Sequence, residues 1–382
     1  MSAKPTVYCG LHVMKTHQKR NILTPIAAQS VTAIAPKNHR SHAHFGRSIG
    51  FVAGGIGDQI YHLTQLRALA SASQDGRIDI ACIHPGPIRK LLAGTKWVGD
   101  IIDARPFRHY RPGSGGTAIA DLRSARYDTA FFMHRSTSFK LAATAAGITS
   151  RIGLRGSWLD GLLLKLSLNL NAGGDRRPLW GHRPFIAAID EYVLTMGLSL
   201  DGDTPTISPT SSAMKEAAKL KLTDGPLIIL NLFAVDEARR WPIDDALKLI
   251  AAVADGSNAS FLLNAGPDAA DYHSLIMQKW RLLADTNPGL KVEQLKDSLA
   301  QSPSMEKDVA LYHLADYYVG VDSFTANLAM NCNLPAVILF AKTGDILRYR
   351  SRVEAIAAPI EGKIGSIETE AITSALMRLS RT

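Results

Sequence analysis

Acidic residues are missing from the start of this chain. The first 57 residues hold no Asp or Glu, yet carry Lys4, Lys15, Lys19, Arg20, Lys37, Arg40 and Arg47. Apolar periodicity is poor there, so residues 1–47 read as a basic, flexible leader. An organellar transit peptide has a similar composition. His39, His42 and His44 have metal-binding chemistry, but no acid or cysteine lies nearby to complete a site, and no metal is expected. Cysteine is scarce as well. Cys9, Cys82 and Cys332 are far apart and form no Cys-x-x-Cys pair, which argues against a disulfide framework or structural zinc and fits a reducing cytoplasm. Long apolar runs are absent: Leu162–Leu164 and Ala336–Ala341 are too short to span a bilayer and fit core elements. There is no repeat of fixed period and no low-complexity tract.

Length and positive charge are what the chain has in excess. Its 382 residues exceed one ordinary core and suit two domains. The net charge of +9 favours anionic partners, whether nucleotides, phosphorylated lipids, nucleic acid or an acidic membrane face. Nothing but that charge speaks for nucleic acid, which is not expected as a partner.

From Ser48 the pattern becomes regular. Strands are expected at Ser48–Ala53, Ile78–Ile83, Thr129–Met133 and Ser150–Gly153, and helices at Gln59–Ser73, Ile88–Leu92, Thr137–Ala146 and Pro184–Met196. Leu200–Ser212, rich in Asp, Gly, Thr, Pro and Ser, reads as a linker. A second run follows, with strands at Pro226–Leu232, Ser260–Asn264, Tyr317–Val321 and Ala336–Phe340. Its helices are Ile243–Ala254, Asp308–Ala315, one opening at Ala326–Met330, and Ile367–Leu379. Alternating strands and helices predict two α/β domains with parallel sheets, one at 48–205 and one at 206–382. Ligands bind beyond the carboxyl ends of such strands, so motifs in both halves should meet in one central cleft.

Three segments carry polar groups at those positions. Gly54-Gly55-Ile56-Gly57-Asp58 lies between strand and helix, where glycines let backbone approach a ligand and free N–H groups meet an anion. Gly55 and Gly57 lack the third glycine of a dinucleotide fingerprint, and no Lys-Ser or Lys-Thr follows to make a Walker loop. Asp58 reads either as a helix cap or as a base that takes a proton from an acceptor hydroxyl. Arg239 and Arg240, before Trp241-Pro242, read as solvated loop charges or as a phosphate contact. Asp322, Ser323, Thr325 and Asn327 crowd a helix start, as an elaborate cap or as a diphosphate seat. Gly266-Pro267-Asp268 forms a weaker loop of the same kind.

Together these residues resemble glycosyltransferase family 9, the ADP-heptose:lipopolysaccharide heptosyltransferases. The family's glycine turn ending in Gly-Asp, then a helix ending in Leu-Arg-Ala-Leu, is matched by GGIGDQIYHLTQLRAL, Gly54 to Leu69. Its Lys-x-Trp-Pro is matched by Arg239-Arg240-Trp241-Pro242. Its Asp-Ser-Gly-x-x-His-Leu-Ala segment is matched by DSFTANLAMNCNLPAVILF, Asp322 to Phe340. Tyr127–Gly153 looks like the family's middle strand, helix and Arg-x-Gly, and the resemblance runs in order from Ser48 to Arg350.

The resemblance implies a GT-B fold and inverting transfer of a sugar, heptose among the candidates, without metal or cofactor. The donor is a nucleotide sugar, ADP-linked first of all, and the acceptor an anionic glycolipid or glycan. Asp58 matches the base. Arg239 matches the lysine that meets donor phosphate, and Gly55, Gly57, Asp268, Asp322, Ser323, Phe324, Thr325 and Asn327 fall to the donor site. Phe324 stands for a glycine and Asn327 for a histidine. These departures keep open an alternative, a catalytically weak or inactive module of the same fold within a larger assembly.

Two basic stretches, Arg105 to Arg111 and Arg176 to Arg183, read as solvated loops or as seats for acceptor phosphates and acidic sugars. On the second reading Arg105, Arg108 and Arg111 contact the acceptor, Trp158 and Lys165 lie close to the second stretch in sequence, and the basic face rests on an anionic leaflet.

Overall fold

The computed structural model of the chain describes residues 44–114, 116–154, 158–164, 189–190, 193–194, 196–220, 225–255, 257–301, 303–341 and 352–381. Most of the basic leader, most of the helix expected at Pro184–Met196, Lys165 and the stretch Arg176 to Arg183 lie outside the described residues.

The N-terminal half runs β1 (Ser48–Phe51), α1 (Ile56–Tyr61), α2 (Leu63–Ser71), β2 (Ile78–Cys82), α3 (Pro85–Leu91), β3 (Val98–Asp103), α4 (Gly116–Ser124), β4 (Thr129–Phe132), α5 (Thr137–Ala145), β5 (Ser150–Gly153) and α6 (Trp158–Leu163). The C-terminal half runs α7 (Ser211–Ala218), β6 (Leu227–Asn231), α8 (Ile243–Ala254), β7 (Ser260–Leu263), α9 (Ala270–Thr286), β8 (Leu295–Asp297), α10 (Met305–Leu314), β9 (Tyr317–Val321), α11 (Phe324–Asn331), β10 (Ala336–Phe340), β11 (Val353–Ala357) and α12 (Thr369–Leu379). Central strands such as Ala336–Phe340 are apolar at every position because helices cover both faces of a parallel sheet.

Two parallel sheets result, as expected. The first has the order β3-β2-β1-β4-β5 and the second β11-β10-β9-β6-β7-β8. Each is wound outward in both directions from an inner pair. In the first sheet that pair is β1 beside β4, with Phe51 opposite Phe132. In the second it is β6 beside β9, with Asn231 opposite Gly320. The order in which strands are added reverses between the members of each parallel pair, so a crevice opens beyond their carboxyl ends.

One apolar cluster joins the halves. Leu66, Leu69 and Leu91 from the first sheet's inner helices are buried in the same cluster as Ala310, Leu311 and Leu328 from α10 and α11. A hydrogen bond also crosses, from Asn331 Nδ2 to Ile60 O at 3.0 Å. The segment read as a linker is tied to both sides. Trp97 Nε1 donates to Thr206 O at 2.9 Å, while Thr206 N donates to Asn331 O at 2.8 Å. Of the basic leader, residues 44–47 are described and run into β1. Phe45 N donates to Ala72 O at 2.9 Å, and the Arg47 guanidinium lies 5.0 Å from the Tyr127 ring centre.

One expected element is divided. The helix predicted over Gln59–Ser73 starts earlier and breaks at His62, which sits at φ −89° and ψ 7° between α1 and α2. His62 is buried, and burial, with the nearby His134 adding to it, pushes its imidazole down to about 3. A neutral side chain turned into the interior outweighs the local preference for an unbroken helix.

Candidate active site

Asp58 is exposed at the carboxyl edge of the first sheet, in the first turn of α1. Its Oδ2 accepts a hydrogen bond from the Gly55 N–H at 2.8 Å. This is the reciprocal half of a capping box rather than an N-cap. The turn depends on Gly54, whose φ of +92° suits glycine and whose absent Cβ would sit 2.5 Å from Asp58 Oδ2. The capping role seen in the sequence is therefore real, and the carboxylate still faces the cleft. Capping and proton transfer do not exclude each other, because the capping bond occupies only Oδ2.

Across the cleft, Arg239 and Asp322 meet. Arg239 Nη2 donates to Asp322 O and lies 3.2 Å from Asp322 Oδ2. One segment follows β6 and the other β9, so the contact spans the second sheet's inner pair. Burial raises the Asp322 pKa; Arg239 opposes this, and the Asp58 carboxylate pushes in the same direction as burial. Asp58 is thus within electrostatic reach of Asp322, and its turn packs through Gly57 on the helix that follows Asp322.

Arg240 behaves differently from its neighbour. Its Nε donates to Ala234 O at 2.6 Å, its Nη2 to Val235 O at 3.1 Å, and its guanidinium sits 4.6 Å from the Phe233 ring centre. It closes its own loop and leaves Arg239 as the cation at the cleft.

Beneath Asp322 lies a hydroxyl network. Asn231 Nδ2 donates to Ser323 Oγ at 3.2 Å and to Thr325 Oγ1; Thr325 Oγ1 is also 2.9 Å from Tyr318 OH and 2.8 Å from Ser323 Oγ. Ser323 is the N-cap residue of α11, but its side chain makes no capping bond and joins this network instead.

Phe324 and Asn327 pack against Gly57. A Cβ at Gly57 would lie 3.4 Å from Phe324 Cα and 3.5 Å from Asn327 Nδ2, so glycine there lets α1 and α11 close on each other. Asn327 Oδ1 is buried with no hydrogen-bond partner among the described residues. Asp268 is exposed after β7, one strand further out, and makes no bond to Arg239 or Asp322.

After β3, Arg105 is not the solvated loop charge of one sequence reading: it is paired with Asp103, Nη2 to Oδ2 at 2.5 Å and Nε to Oδ1 at 2.9 Å. Asp103 ends β3 two residues earlier, and a sequence search for clustered bases passes over a single acid at a strand end. Arg108 and Arg111 are exposed at the same edge. The group that sequence reasoning missed is His134, after β4. It flanks the β1/β4 crevice opposite the Asp58 turn and feels the Asp58 carboxylate. Its place between a strand and a capped helix was the available signal. No cluster of His, Cys, Asp and Glu fit to hold a metal occurs among the described residues.

By sequence, no family model and no curated protein matches the chain. By structure it is similar to a glycosyl transferase family 9 protein from Veillonella parvula, with a TM-score of 0.67 and 13% identity over 89% of this chain and 98% of that one. It is similar to E. coli ADP-heptose LPS heptosyltransferase II, with a TM-score of 0.63 and 18% identity over 87% of this chain and 98% of that one. E. coli heptosyltransferase WaaC, solved with ADP-2-deoxy-2-fluoro heptose, gives a TM-score of 0.60 and 14% identity over 87% and 99%. At these identities the likeness establishes architecture: the chain has the GT-B fold, two Rossmann-like halves facing one cleft.

Proposed function

We propose that this protein is an inverting glycosyltransferase that moves a sugar from a nucleotide-diphosphate donor to a hydroxyl of a glycolipid or glycan, without a metal. The observation that carries this reading is the packing of the Asp58 turn on the helix that follows Asp322, Gly57 against Phe324 and Asn327, with Arg239 paired to Asp322 and each segment at the inner strand pair of its own sheet. Asp58 takes the proton of the acceptor hydroxyl as its oxygen attacks the anomeric carbon. The bond from that carbon to the diphosphate breaks, and the nucleoside diphosphate leaves with the electron pair. Arg239 stabilises the charge that builds on it, through donors other than the Nη2 already engaged. The start of α11 supplies further N–H groups, and Asn327 Oδ1 offers an unmet acceptor to the donor.

The structural neighbours named for ADP-heptose make ADP-linked heptose the first donor to try. A thermal-shift screen of ADP-, UDP- and GDP-sugars, followed by release of nucleoside diphosphate in the presence of lipopolysaccharide-type acceptors, tests the proposal. Stabilisation by no nucleotide sugar would sink it. A second reading, a binding module without turnover, draws on the close packing of Phe324 and Asn327 against Gly57. Donor binding without product would favour it.

For the acceptor, Arg108 and Arg111 are the free cations of their stretch, and charge reversal there should weaken acceptor use while donor binding stays. No helix among the described residues is long and apolar enough to cross a membrane. Contact with the inner-membrane face from the cytoplasm is instead proposed through surface groups, Trp158 and Leu162, 73% and 70% exposed on one side of α6, together with the net charge of +9. Flotation with anionic liposomes at low salt, lost at high salt, is the expected outcome. Absence of flotation at low salt would count against membrane contact.

A further inference from the structure

Four strand ends flank the two inner crevices. Those of β1, β6 and β9 lead to Asp58, Arg239 and Asp322, which the proposed reaction uses. The fourth, after β4, leads to His134. Met133 N donates to Phe51 O at 3.0 Å, so the chain leaves β4 alongside the Asp58 turn. The His134 side chain is exposed there, and the buried His62 is near enough to feel its charge.

Below this loop lies an ion pair that the proposed reaction does not use. Lys140 and Asp160 are both 0% exposed, with Nζ and Oδ2 2.9 Å apart. Lys140 Nζ also donates to Leu154 O at 2.8 Å and to Arg135 O at 3.4 Å, and Thr137 Oγ1 donates to Asp160 Oδ1 at 2.9 Å. The pair therefore ties together the loop after β4, the residue after β5 and α6. A buried ion pair costs desolvation, and apolar residues of similar volume often serve stability as well or better. Stability alone is a weak reason for it, and its bonds point to the loop above.

We propose that His134 is the acceptor-side partner of Asp58, a neutral imidazole that hydrogen-bonds the acceptor beside the carboxylate, and that the buried Lys140–Asp160 pair holds it in place. This rests on Asp58 being the base. The charges around His134 favour the neutral ring. Although the side chain reaches solvent, partial burial lowers its pKa, Lys140 and Arg135 lower it further, and Asp58 works against them. An imidazolium would pair with Asp58 and weaken the carboxylate as a base for the acceptor's proton. Two cations behind the ring oppose that state. His62, itself held neutral by burial, adds no charge. Lys140 is then a positioning residue in two senses: it fixes the Arg135 carbonyl, and it keeps His134 uncharged.

The test is an NMR titration of the histidine rings in the full chain, with His134→Gln identifying the signal. His134 should titrate below the ordinary imidazole range. In Lys140→Met/Asp160→Leu, which removes both charges together, it should move upward. Arg135→Gln, which leaves the buried pair intact, should move it the same way. Lys140→Arg, which keeps the charge, should not. In turnover, the acid limb of the pH profile of kcat/KM for acceptor should shift to higher pH in the double variant, and no longer when His134→Gln is added. His134→Gln alone should raise acceptor KM about tenfold, the worth of one hydrogen bond, with donor KM unchanged. A His134 signal that ignores both the Lys140 and Arg135 substitutions overturns the charge argument. An unchanged acceptor KM in His134→Gln overturns the contact. The titration needs no turnover, so it stands apart from a failure of Asp58 as base, which Asp58→Asn reads separately.

Discussion

The two halves of this protein share one winding of strands and build their crevices in opposite ways. In the C-terminal half the floor is neutral: Asn231, Ser323, Thr325 and Tyr318 bond to one another beneath the Arg239–Asp322 pair. In the N-terminal half the support is charged: Lys140 and Asp160 lie buried under the loop beside Asp58. The difference fits what the proposed reaction asks of each side. A diphosphate brings its own charge and needs a rigid seat with donors already aimed. A hydroxyl brings none, so the groups around it must keep their protonation states correct for the proton to move.

The sharpest way to break this comparison is at Asp58. Asp58→Asn should leave donor affinity nearly intact and lower turnover by about 10²–10⁴-fold, the usual scale of general-base catalysis. Asparagine can still accept the Gly55 N–H, so the capping role should survive. Steady-state kinetics beside a donor titration decides the matter, and near-normal turnover would remove the catalytic assignment. Next in size is Arg239. Arg239→Ala should weaken nucleotide-diphosphate binding by about 1.5–3 kcal/mol if it makes a charged hydrogen bond, whereas Arg240→Ala, which breaks only bonds within its own loop, should cost much less. Calorimetric titration of both variants tells them apart, and equal losses would contradict the assignment of the cleft cation.

Thr325→Val probes the neutral floor. The hydroxyl meets Asn231, Ser323 and Tyr318, so its loss should cost about 2 kcal/mol of stability and loosen the α11 start. Urea unfolding measures the cost; a change under about 0.5 kcal/mol would mean the network is not a support. The smallest effect is expected at Asp308, one strand further from the site. Burial pushes its carboxyl up to about 6, against bonds from Asn264 and the charge of Lys307. A raised acid pKa means stability is fully present below the unfolded value of 3.8 and is lost as pH rises through about 6. Asp308→Asn should therefore stabilise the protein at pH 8 by roughly 1 kcal/mol, less than the full linkage because the residue is partly exposed. The gain should vanish near pH 4, and a melting series across that range reads it.

Much of this arrangement was legible beforehand, for physical reasons that differ by element. Tyr317–Val321, Ala336–Phe340 and Ile243–Ala254 match their sequence readings end to end, because buried strands and amphipathic helices write their burial into the chain. The edge strands β3 and β8 went unread. Val98–Asp103 carries Asp100 and Asp103, and Leu295–Asp297 is short and half polar, as edges tend to be. The stripe of α9 escaped because its first buried member is a histidine: His273, then Ile276, Trp280 and Ala284. At the site, Asp58, Arg239 and Asp322 stood out through their glycine, tryptophan and serine contexts. His134 carries only its place between a strand and a capped helix, and Arg105 is held by Asp103, an acid at the end of the preceding strand.

What the sequence determined by itself is the alternation of strand and helix, and the polar residues placed where strands end. Those follow from local rules, the period of burial and the chemistry of turns. Tertiary structure alone decided the rest. Strand order made β1 a neighbour of β4 and β6 a neighbour of β9, so that residues far apart in the chain came to share a crevice. Packing of α11 on Gly57 brought the two crevices together. Burial turned Lys140 and Asp160, two ordinary charges in the sequence, into a pair under the loop that carries His134. Strand order, domain contact and desolvation are all set by non-local contacts, and no window of sequence contains both partners of such a contact.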